Sequence, residues 1–276
     1  MNPHQDHPAT PQALVFSLWH HRSLINQLIR REVIGRYRGS IFGVAWSFFN
    51  PILMLLVYTF VFSVVFKARW GIADDENQAS FAIVLFVGMI VHGLFAEVAN
   101  RAPLLILSNV SYVKRVVFPL EVLPWVTLGS ALFHSAISLL VLLVAQLILM
   151  HHLPWTLLLF PLIVAPLLMA TMGVAWFLAA IGVYLRDVGQ TIGIVTTVML
   201  FMAPVFYPIS ALPESYQVLL HLNPLTFVIE EGRNVLLFGK LPNWGGLALY
   251  ACVSLGMAWS GFWWFQKTRK GFADVV

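Results

Sequence analysis

Six apolar stretches, each about as long as the hydrocarbon core of a membrane is thick, occupy most of this chain. A helix needs about 20 apolar residues to cross a layer roughly 30 Å thick. Hydrophobic residues make up 59% of the sequence and charged residues 10%, whereas soluble domains carry about 25% charged residues. We therefore expect an all-α integral membrane protein with six transmembrane helices. The predicted spans are 41–66, 81–98, 122–150, 155–185, 191–207 and 246–265.

The basic residues between these stretches predict the orientation of the chain. An even number of spans places both termini on one side, and cytoplasmic loops carry an excess of Lys and Arg. The loops of one side contain most of the 16 basic residues, namely Arg22, Arg30, Arg31, Arg36, Arg38, Arg101, Lys114, Arg115, Arg186, Lys267, Arg269 and Lys270. The loops of the other side contain Lys67, Arg69, Arg233 and Lys240. Both termini are therefore predicted to be cytoplasmic.

Several other kinds of site are not indicated. The net charge of +4 follows from basic residues beside the spans, so we expect no nucleic-acid partner. The single cysteine, Cys252, excludes an internal disulfide framework and a thiolate metal cluster. The histidines are scattered, and we expect no metal site. Residues 1–21 lack the apolar core of a cleavable signal peptide, so the first span is expected to stay as an anchor.

A basic amphipathic segment precedes the first span. Apolar residues recur at helical spacing between Arg22 and Arg38 and occupy one face, while arginines occupy the other. Such a helix lies along the cytoplasmic interface, with its basic face toward anionic lipid headgroups. It is either a general anchor or also a docking site for a cytosolic partner. We expect a polar cytoplasmic arm, residues 1–21, followed by a transmembrane domain, residues 22–276, whose first part is this interface helix, residues 22–38. Its basic residues of interest are Arg30, Arg31, Arg36 and Arg38.

Two cytoplasmic connections have features of partner contacts. In the loop from Arg101 to Pro124, Pro119 and Pro124 bracket a short piece, which favours a short helix on the membrane surface or a simple turn. The turn Tyr184–Gln190 contains adjacent Arg186 and Asp187. These two side chains complement a helix dipole, pair with each other or contact a partner.

The segment between the last two spans is too interrupted to cross a membrane. Residues 207–244 contain Pro208, Pro213, Pro224 and Pro242, and Pro204 interrupts the preceding span. We expect short re-entrant helices here, because irregular backbone at membrane depth occurs only against protein or a water-filled path. Nearby Tyr207, Glu230, Glu231 and Arg233 are interpreted as a periplasmic gate, through a salt bridge or a solvated rim, rather than as a catalytic acid and base.

The chain has no phosphate-binding motif of its own. The nearest candidate, Gly232 to Leu241, has six residues between its glycines instead of four, and Leu241 stands where Ser or Thr would bind magnesium. The chain is therefore predicted to have no enzymatic activity, and any ATP hydrolysis belongs to another subunit. Coupling to an ion gradient usually needs ionisable groups at mid-membrane. The spans are poor in such groups, with Glu97 near an end and His134 in the third, which argues against a secondary transporter.

Several segments together resemble one family. They are LIRREVIGRYRGSIFGVAWSFFNPILMLLVYTFVFSVVF from Leu28, the loop VKRVVFPLEVLP, the YLRD turn, the segment LNPLTFVIEEGRNVLLFG and the terminal FADVV. This pattern resembles the permease subunits of ABC-2 type polysaccharide exporters, and within them the O-antigen permeases. The likeness covers the chain beyond about its first twenty residues.

The resemblance implies a homodimer in the bacterial inner membrane, bound to two copies of a cytosolic ABC ATPase that carries ATP and Mg. Its substrate would be a lipid-linked polysaccharide moving from cytoplasm to periplasm. The segment 109–118 would be the coupling helix, and 208–238 the periplasmic re-entrant pair. The residues expected to couple to the ATPase are Asn109, Tyr112, Lys114, Arg115, Phe118, Arg186 and Asp187. Capsule, teichoic-acid and small-molecule exporters share this architecture and remain alternatives.

Aromatic residues are candidates for the path of the glycan. A polymer in a channel needs surfaces that bind weakly and repeatedly, and aromatic faces stack on sugars without requiring one linkage. The candidates are Trp46, Phe49, Tyr58 and Phe201. The alternative is ordinary packing or contact with lipid at the membrane interface.

Overall fold

The computed structural model describes residues 8–65, 78–113 and 118–275, and these form helices and connections with no strand among them. The predicted coupling residues Lys114 and Arg115 lie outside the described ranges. The α-helices are α1 Pro11–His20, α2 Arg22–Arg36, α3 Trp46–Tyr58, α4 Gln78–Arg101, α5 Val110–Val113, α6 Leu123–Met150, α7 Phe160–Tyr184, α8 Val188–Phe201, α9 Glu214–Leu222, α10 Pro224–Leu236, α11 Trp244–Thr268 and α12 Phe272–Val275. A π-helical segment, Thr59–Val65, extends α3, and 3₁₀ turns at Gly43–Ala45, Ala102–Leu104, Leu107–Asn109, Leu120–Val122, Trp155–Leu159, Ile209–Ala211 and Arg269–Gly271 join or extend the others.

Five of the six predicted spans are helices long and apolar enough to cross a membrane. The fifth, predicted at 191–207, is shorter than expected. Its helix α8 has 14 residues and ends at Phe201, so it is about 21 Å long and does not reach across a layer of roughly 30 Å. The chain then turns through Pro204 and Pro208. The apolar composition extended the prediction past a point where the prolines end the helix.

Helix α4 lies at the centre of the molecule, between α6, α7, α8 and α10. In its most apolar stretch 78% of the residues are buried, compared with 11% for the first span. Of the residues in α3 only Ser47 and Pro51 are buried, and in α8 only Thr196. The first and fifth spans are therefore peripheral, with most of their apolar surface uncovered by the rest of the chain.

Glycines bring α7 and α11 into backbone contact. A Cβ atom at Gly261 would overlap the carbonyl group of Gly173, and one at Gly173 would overlap the backbone of Met257. A Cβ at Gly182 would likewise overlap Pro103, beyond the end of α4. Small residues at such crossings let membrane helices approach closely and gain dispersion contacts.

The two ends of the bundle are built from different segments. At one end, which we call the basic end, α2 contacts the described residues of the connection after α4. The C-terminal segment, from Thr268 onward, contacts the end of that connection and the end of α7. At the other, the proline end, α10 contacts the C-terminal half of α6 and the start of α7. The four predicted cytoplasmic segments thus lie at one end of the molecule.

The N-terminal region contains a helix that the sequence interpretation missed. Residues 1–21 were predicted to be a polar arm, but α1 starts at Pro11, and the Thr10 hydroxyl accepts a hydrogen bond from the backbone N–H of Ala13 at 3.2 Å. Thr and Pro at these two positions are a common helix start. Phe16 and Trp19 are exposed on α1. Because the helix is only ten residues long, its apolar face was too short to stand out in the sequence.

Candidate functional site

The interface helix α2 packs on the transmembrane domain through its apolar face. Ile25 and Leu28 form a small core with Val122 and Val126, at the start of α6. The amphipathic helix was predicted at 22–38, and the structure ends it at Arg36. Burial of this face anchors α2 to the rest of the protein.

The predicted interface arginines have different surroundings. Arg30, Arg36 and Arg38 are all exposed, but Arg36 also donates to the Glu97 carboxylate at 2.5 Å and lies 3.0 Å from Nδ1 of His134. Glu97 also lies 3.4 Å from His134. A second ion pair joins Arg101 of α4 to Glu32 of α2. Charged groups from α2, α4 and α6 therefore form one cluster, so part of the predicted lipid-binding face binds protein instead.

The predicted coupling segment touches the interface helix directly. Nη2 of Arg31 donates to the Tyr112 hydroxyl at 2.7 Å. The Tyr112 ring stacks on Phe118, with centroids 4.2 Å apart and planes 9° apart. Asn109 donates from Nδ2 to the Leu105 carbonyl at 2.9 Å, which ties the segment to the end of α4. The described part of this segment is therefore hydrogen-bonded to α2 and to the connection that follows α4.

The second predicted coupling site is the turn between α7 and α8. Helix α7 ends at Tyr184 because Leu185 adopts an extended conformation. The side chains of Arg186 and Asp187 are exposed, and no ion pair joins them among those found in the described ranges. Exposure of both groups leaves them accessible to a partner, and their coupling role stays a prediction.

Side chains from the segment after α8 cap the carbonyl groups at the break in the fifth span. Asn223 donates to the carbonyls of Met199 and Met202 at 2.8 and 3.2 Å, and the Tyr207 hydroxyl to that of Phe201 at 2.6 Å. Arg233 donates to those of Pro204 and Val205 at 2.5 and 3.2 Å. The last carbonyls of a helix have no partner within it. These five are therefore satisfied without water.

Arg233 was predicted to belong to a gate salt bridge or a solvated rim, and the structure shows that it is not at a solvated rim. Its exposed fraction is 3%, and its Nε also donates to the Val84 carbonyl of α4 at 3.0 Å. One guanidinium thus ties α4, the break after α8 and α10 together. Only arginine presents five donors in a planar fork with this reach.

The neighbouring carboxylates have different surroundings. Glu231 is buried and accepts a hydrogen bond from the backbone N–H of Asn243 at 3.1 Å, just before α11. Glu230 is half-buried; burial raises its pKa, and the charges of His221 and Arg233 oppose that rise. Glu231 holds α10 to the start of α11, while Glu230 is the more accessible of the pair. Their assignment to a gate stays a prediction.

The far end of α10 is capped by residues whose roles were missed. Gln146 of α6 donates to the Leu236 carbonyl at 2.9 Å, and Thr156 to the Val235 carbonyl at 2.7 Å. At the other end, the Asn223 side chain accepts from the N–H of Leu225 at 3.0 Å. The sequence signal that could have identified these residues is a polar side chain isolated in an apolar run, because a buried amide or hydroxyl needs a hydrogen-bond partner.

A polar contact within the membrane domain was also missed. Nε2 of His92 donates to the Thr196 carbonyl at 2.9 Å, and the Thr196 hydroxyl donates to the Asn100 side chain at 3.0 Å. Thr196 is the buried residue of α8. Hydrogen bonds to α4 are therefore a main attachment of α8 to its own subunit.

The four candidate path aromatics do not form one cluster. Trp46 packs edge-to-face against Phe49 at 5.1 Å, and both are about half exposed on α3. Phe201 stacks with Phe206 at 5.6 Å and is 58% exposed. Tyr58 packs against the main core. Three of the four therefore lie on the uncovered surface of the first and fifth spans, and a path role stays a prediction.

These elements define a class of protein: a multi-pass helical membrane protein with an amphipathic helix at one end and a broken helix closed by a polar cap at the other. Residues 23–237 match the family model of the ABC-2 type transporter, and the chain belongs to that family. It is thus a membrane permease of the ABC-2 type, and the family places it in the bacterial inner membrane.

Relatives cover almost the full chain. The O-antigen export system permease protein RfbA of Myxococcus xanthus is 30% identical over 265 residues, which are 95% of this chain and 99% of the relative. A protein of the same description from Klebsiella pneumoniae is 22% identical over 92% of this chain and 95% of its own. The polysialic acid transport protein KpsM of Escherichia coli is 21% identical over 84% of this chain and 89% of its own.

Proposed function

We propose that two copies of this chain form the membrane channel of an ABC exporter that moves lipid-linked polysaccharide, specifically O-antigen, from cytoplasm to periplasm. The observation that carries the proposal is the near full-length similarity to the Myxococcus xanthus O-antigen permease. Where a helix stops within a membrane, its last carbonyl groups need polar partners, and irregular backbone at that depth occurs only against protein or a water-filled path. The break after α8, with side chains bound to its carbonyls, therefore supports a path beside it.

The uncovered surfaces support a homodimer. Apolar residues of α3 and α8 are exposed, and helices with few contacts to their own subunit gain them from a second copy. In this arrangement Trp46, Phe49 and Phe201 line the path between subunits, with Tyr207 and Glu230 at its periplasmic mouth. The buried Glu231 and Arg233 hold the surrounding segments in place.

The basic end supports an ATPase partner. The described residues of the predicted coupling segment, 109–113 and 118, lie at this end with the turn 185–187, and Tyr112 is bonded to Arg31 of α2. Two ATPase subunits bind ATP and Mg here, and their closure pushes these segments. The force passes through α2 and the charge cluster at Glu97 to α3 and α8, which separate between the two subunits. Both termini lie on this cytoplasmic side.

Deletion of the gene in its own host tests the substrate. We expect loss of surface O-antigen, accumulation of the lipid-linked glycan on the cytoplasmic side, and recovery of export on complementation with the wild-type chain. Loss of capsule or teichoic acid instead would favour a second candidate function, the export of one of these polymers, which the similarity to the polysialic acid transport protein KpsM supports. Drug sensitivity with normal surface glycan would contradict polysaccharide export.

Cross-linking tests the dimer. With Cys252 replaced by Ser, Val198→Cys on the exposed face of α8 should form a disulfide-linked dimer in membranes. Leu158→Cys, which is exposed on the 3₁₀ turn before α7, is the control. Equal cross-linking of the two variants, or none at Val198, would contradict an interface at α8.

A further inference from the structure

The C-terminal segment after α11 packs between the two predicted coupling sites. It comprises the 3₁₀ turn Arg269–Gly271 and α12, Phe272–Val275. Neither the chain end nor Arg269 was assigned a role from the sequence. We propose that Arg269–Val275 is a strut that holds Phe118, at the end of the predicted coupling segment, and the turn 185–187 at a fixed separation, with Arg269 as its positioning residue.

One end of the strut is a buried ion pair. Nη1 of Arg269 lies 2.5 Å from Oε2 of Glu121, and the two side chains are 11% and 12% exposed. Nη2 of the same guanidinium donates to the backbone carbonyl of Phe118 at 3.1 Å. Phe118 in turn stacks on Tyr112. Arg269 therefore binds the backbone carbonyl of Phe118, at the end of the predicted coupling segment, and the side chain of Glu121 three residues later.

The same segment, together with the last residue of α11, also contacts the end of α7. The Tyr184 hydroxyl donates to the carbonyl of Thr268, next to Arg269, at 2.9 Å. The Phe272 ring is fully buried, with its centroid 6.2 Å from that of Tyr184 and 5.5 Å from that of Phe265. A Cβ at Gly271 would overlap the Tyr184 hydroxyl. Tyr184 is two residues before Arg186, so the strut meets the second coupling site where its helix ends.

This arrangement has a mechanical consequence. Two loops that a partner pushes transmit one movement only if their separation is held, because otherwise the push is absorbed by sliding of one loop past the other. A buried ion pair that also binds a backbone carbonyl is stiff, since loss of either contact leaves a charge or a carbonyl unpaired. The inference rests on the proposed function, in which both loops contact an ATPase.

Arg269→Lys is the informative variant. Lysine keeps the positive charge beside Glu121, so folding is preserved, but its single ammonium lacks the planar fork that reaches both Glu121 and the Phe118 carbonyl. In the reconstituted complex with its ATPase, we expect normal subunit retention and ATP hydrolysis but about tenfold fewer glycans exported per ATP, the factor that loss of a charge-assisted hydrogen bond represents. Lys267→Ala, which removes an exposed cation two residues earlier, should leave this ratio unchanged.

A distance measurement tests the geometry without the ATPase. In a Cys252→Ser background, spin labels at Ser111→Cys and Arg186→Cys report the separation of the two loops by pulsed electron resonance. We expect one narrow distribution in the otherwise unaltered chain, and a shifted or broadened one with Arg269→Lys. The double variant Arg269→Glu with Glu121→Arg, which exchanges the two charges, should also give a shifted or broadened distance distribution, because the Phe118 carbonyl then lacks its donor.

Unchanged distances and an unchanged ratio of export to hydrolysis in Arg269→Lys would overturn the proposal. A changed distance with a normal ratio would also overturn it, because the strut would then not transmit the push. A proportional fall of chain abundance, hydrolysis and export would show a merely structural role. Failure of the wild-type chain to retain any ATPase would instead reject the proposed function, while the distance measurement still decides whether the strut fixes the loops.

Discussion

The guanidinium of Arg233 lies 2.5 Å from the carbonyl oxygen of Pro204, across the break where the fifth span stops short. The contact joins the segment that follows α8, where the prolines stop the helix, to α10, which comes later in the chain. In this fold, the backbone carbonyls at the break are bound by side chains of residues that lie further along the chain.

Replacing Arg233 by Met should destabilise the protein. Met fills much of the same volume but leaves the carbonyls of Val84, Pro204 and Val205 without this donor, and each buried carbonyl left unsatisfied costs about 1–3 kcal/mol. Thermal unfolding of the purified chain in detergent would measure the loss. Lys240→Ala, which removes an exposed cation after the same helix, is the control. Equal melting temperatures of all three proteins would contradict the cap.

Gly261→Ala should loosen the crossing of α7 and α11. The new methyl group meets the backbone of Gly173, and overpacking of a tight contact costs about 1–3 kcal/mol. Gly256→Ala lies on the same helix with no atom within 4 Å of the added Cβ, and should be neutral or slightly stabilising because Ala favours the helix. The two variants are compared by thermal unfolding. A similar melting temperature for both would show that the crossing is not tight.

Tyr112→Phe should weaken the link between the coupling segment and α2. The ring and its stack on Phe118 remain, but the hydroxyl that accepts from Arg31 is lost, at a cost of about 1 kcal/mol. In cells we expect a roughly fivefold lower rate of glycan export with normal ATPase association. Ser111→Ala, an exposed neighbour, should export normally. Wild-type export by Tyr112→Phe would exclude this link from the mechanism.

Trp46→Ala and Phe49→Ala should reduce glycan export without loss of chain from the membrane. Both rings are about half exposed and bury little within the subunit, so their removal leaves the fold intact while it removes stacking surface. Trp155→Ala, at an aromatic residue 67% exposed on another element, controls for loss of an interfacial ring. Export is measured as surface glycan per unit of membrane-inserted chain. Wild-type levels in the Trp46 variant would favour simple lipid contact.

Much of the fold was predictable because membranes impose a simple rule on sequence. A span must be apolar over a set length, so five long helices and the amphipathic α2 followed from composition and periodicity. The same rule failed at 191–207, where apolar residues continue past Pro204 although the helix does not. It also failed at α1, where ten residues are too few for periodicity to show.

The site was predictable in part. The motifs predicted a short helix in the connection after α4 and an interrupted, proline-rich segment after α8, and both are present. The structural roles of Gln146, Thr156 and His92 depend on partners 79 to 104 residues away in the chain. No local pattern encodes such a pairing. Arg233 shows the limit most clearly, because an arginine two and three residues after two carboxylates has the local pattern of an exposed charge.

The sequence by itself determined that this chain is a helical membrane protein, which five of its segments are long and apolar enough to span, and which loops carry the basic residues, since these depend on hydrophobicity and charge along the chain. The tertiary structure decided which polar groups meet. It placed Arg233 on the carbonyls at the end of the broken helix and Arg269 on Glu121 and the Phe118 carbonyl, because the energy of a buried polar group depends on the partner that packing brings to it.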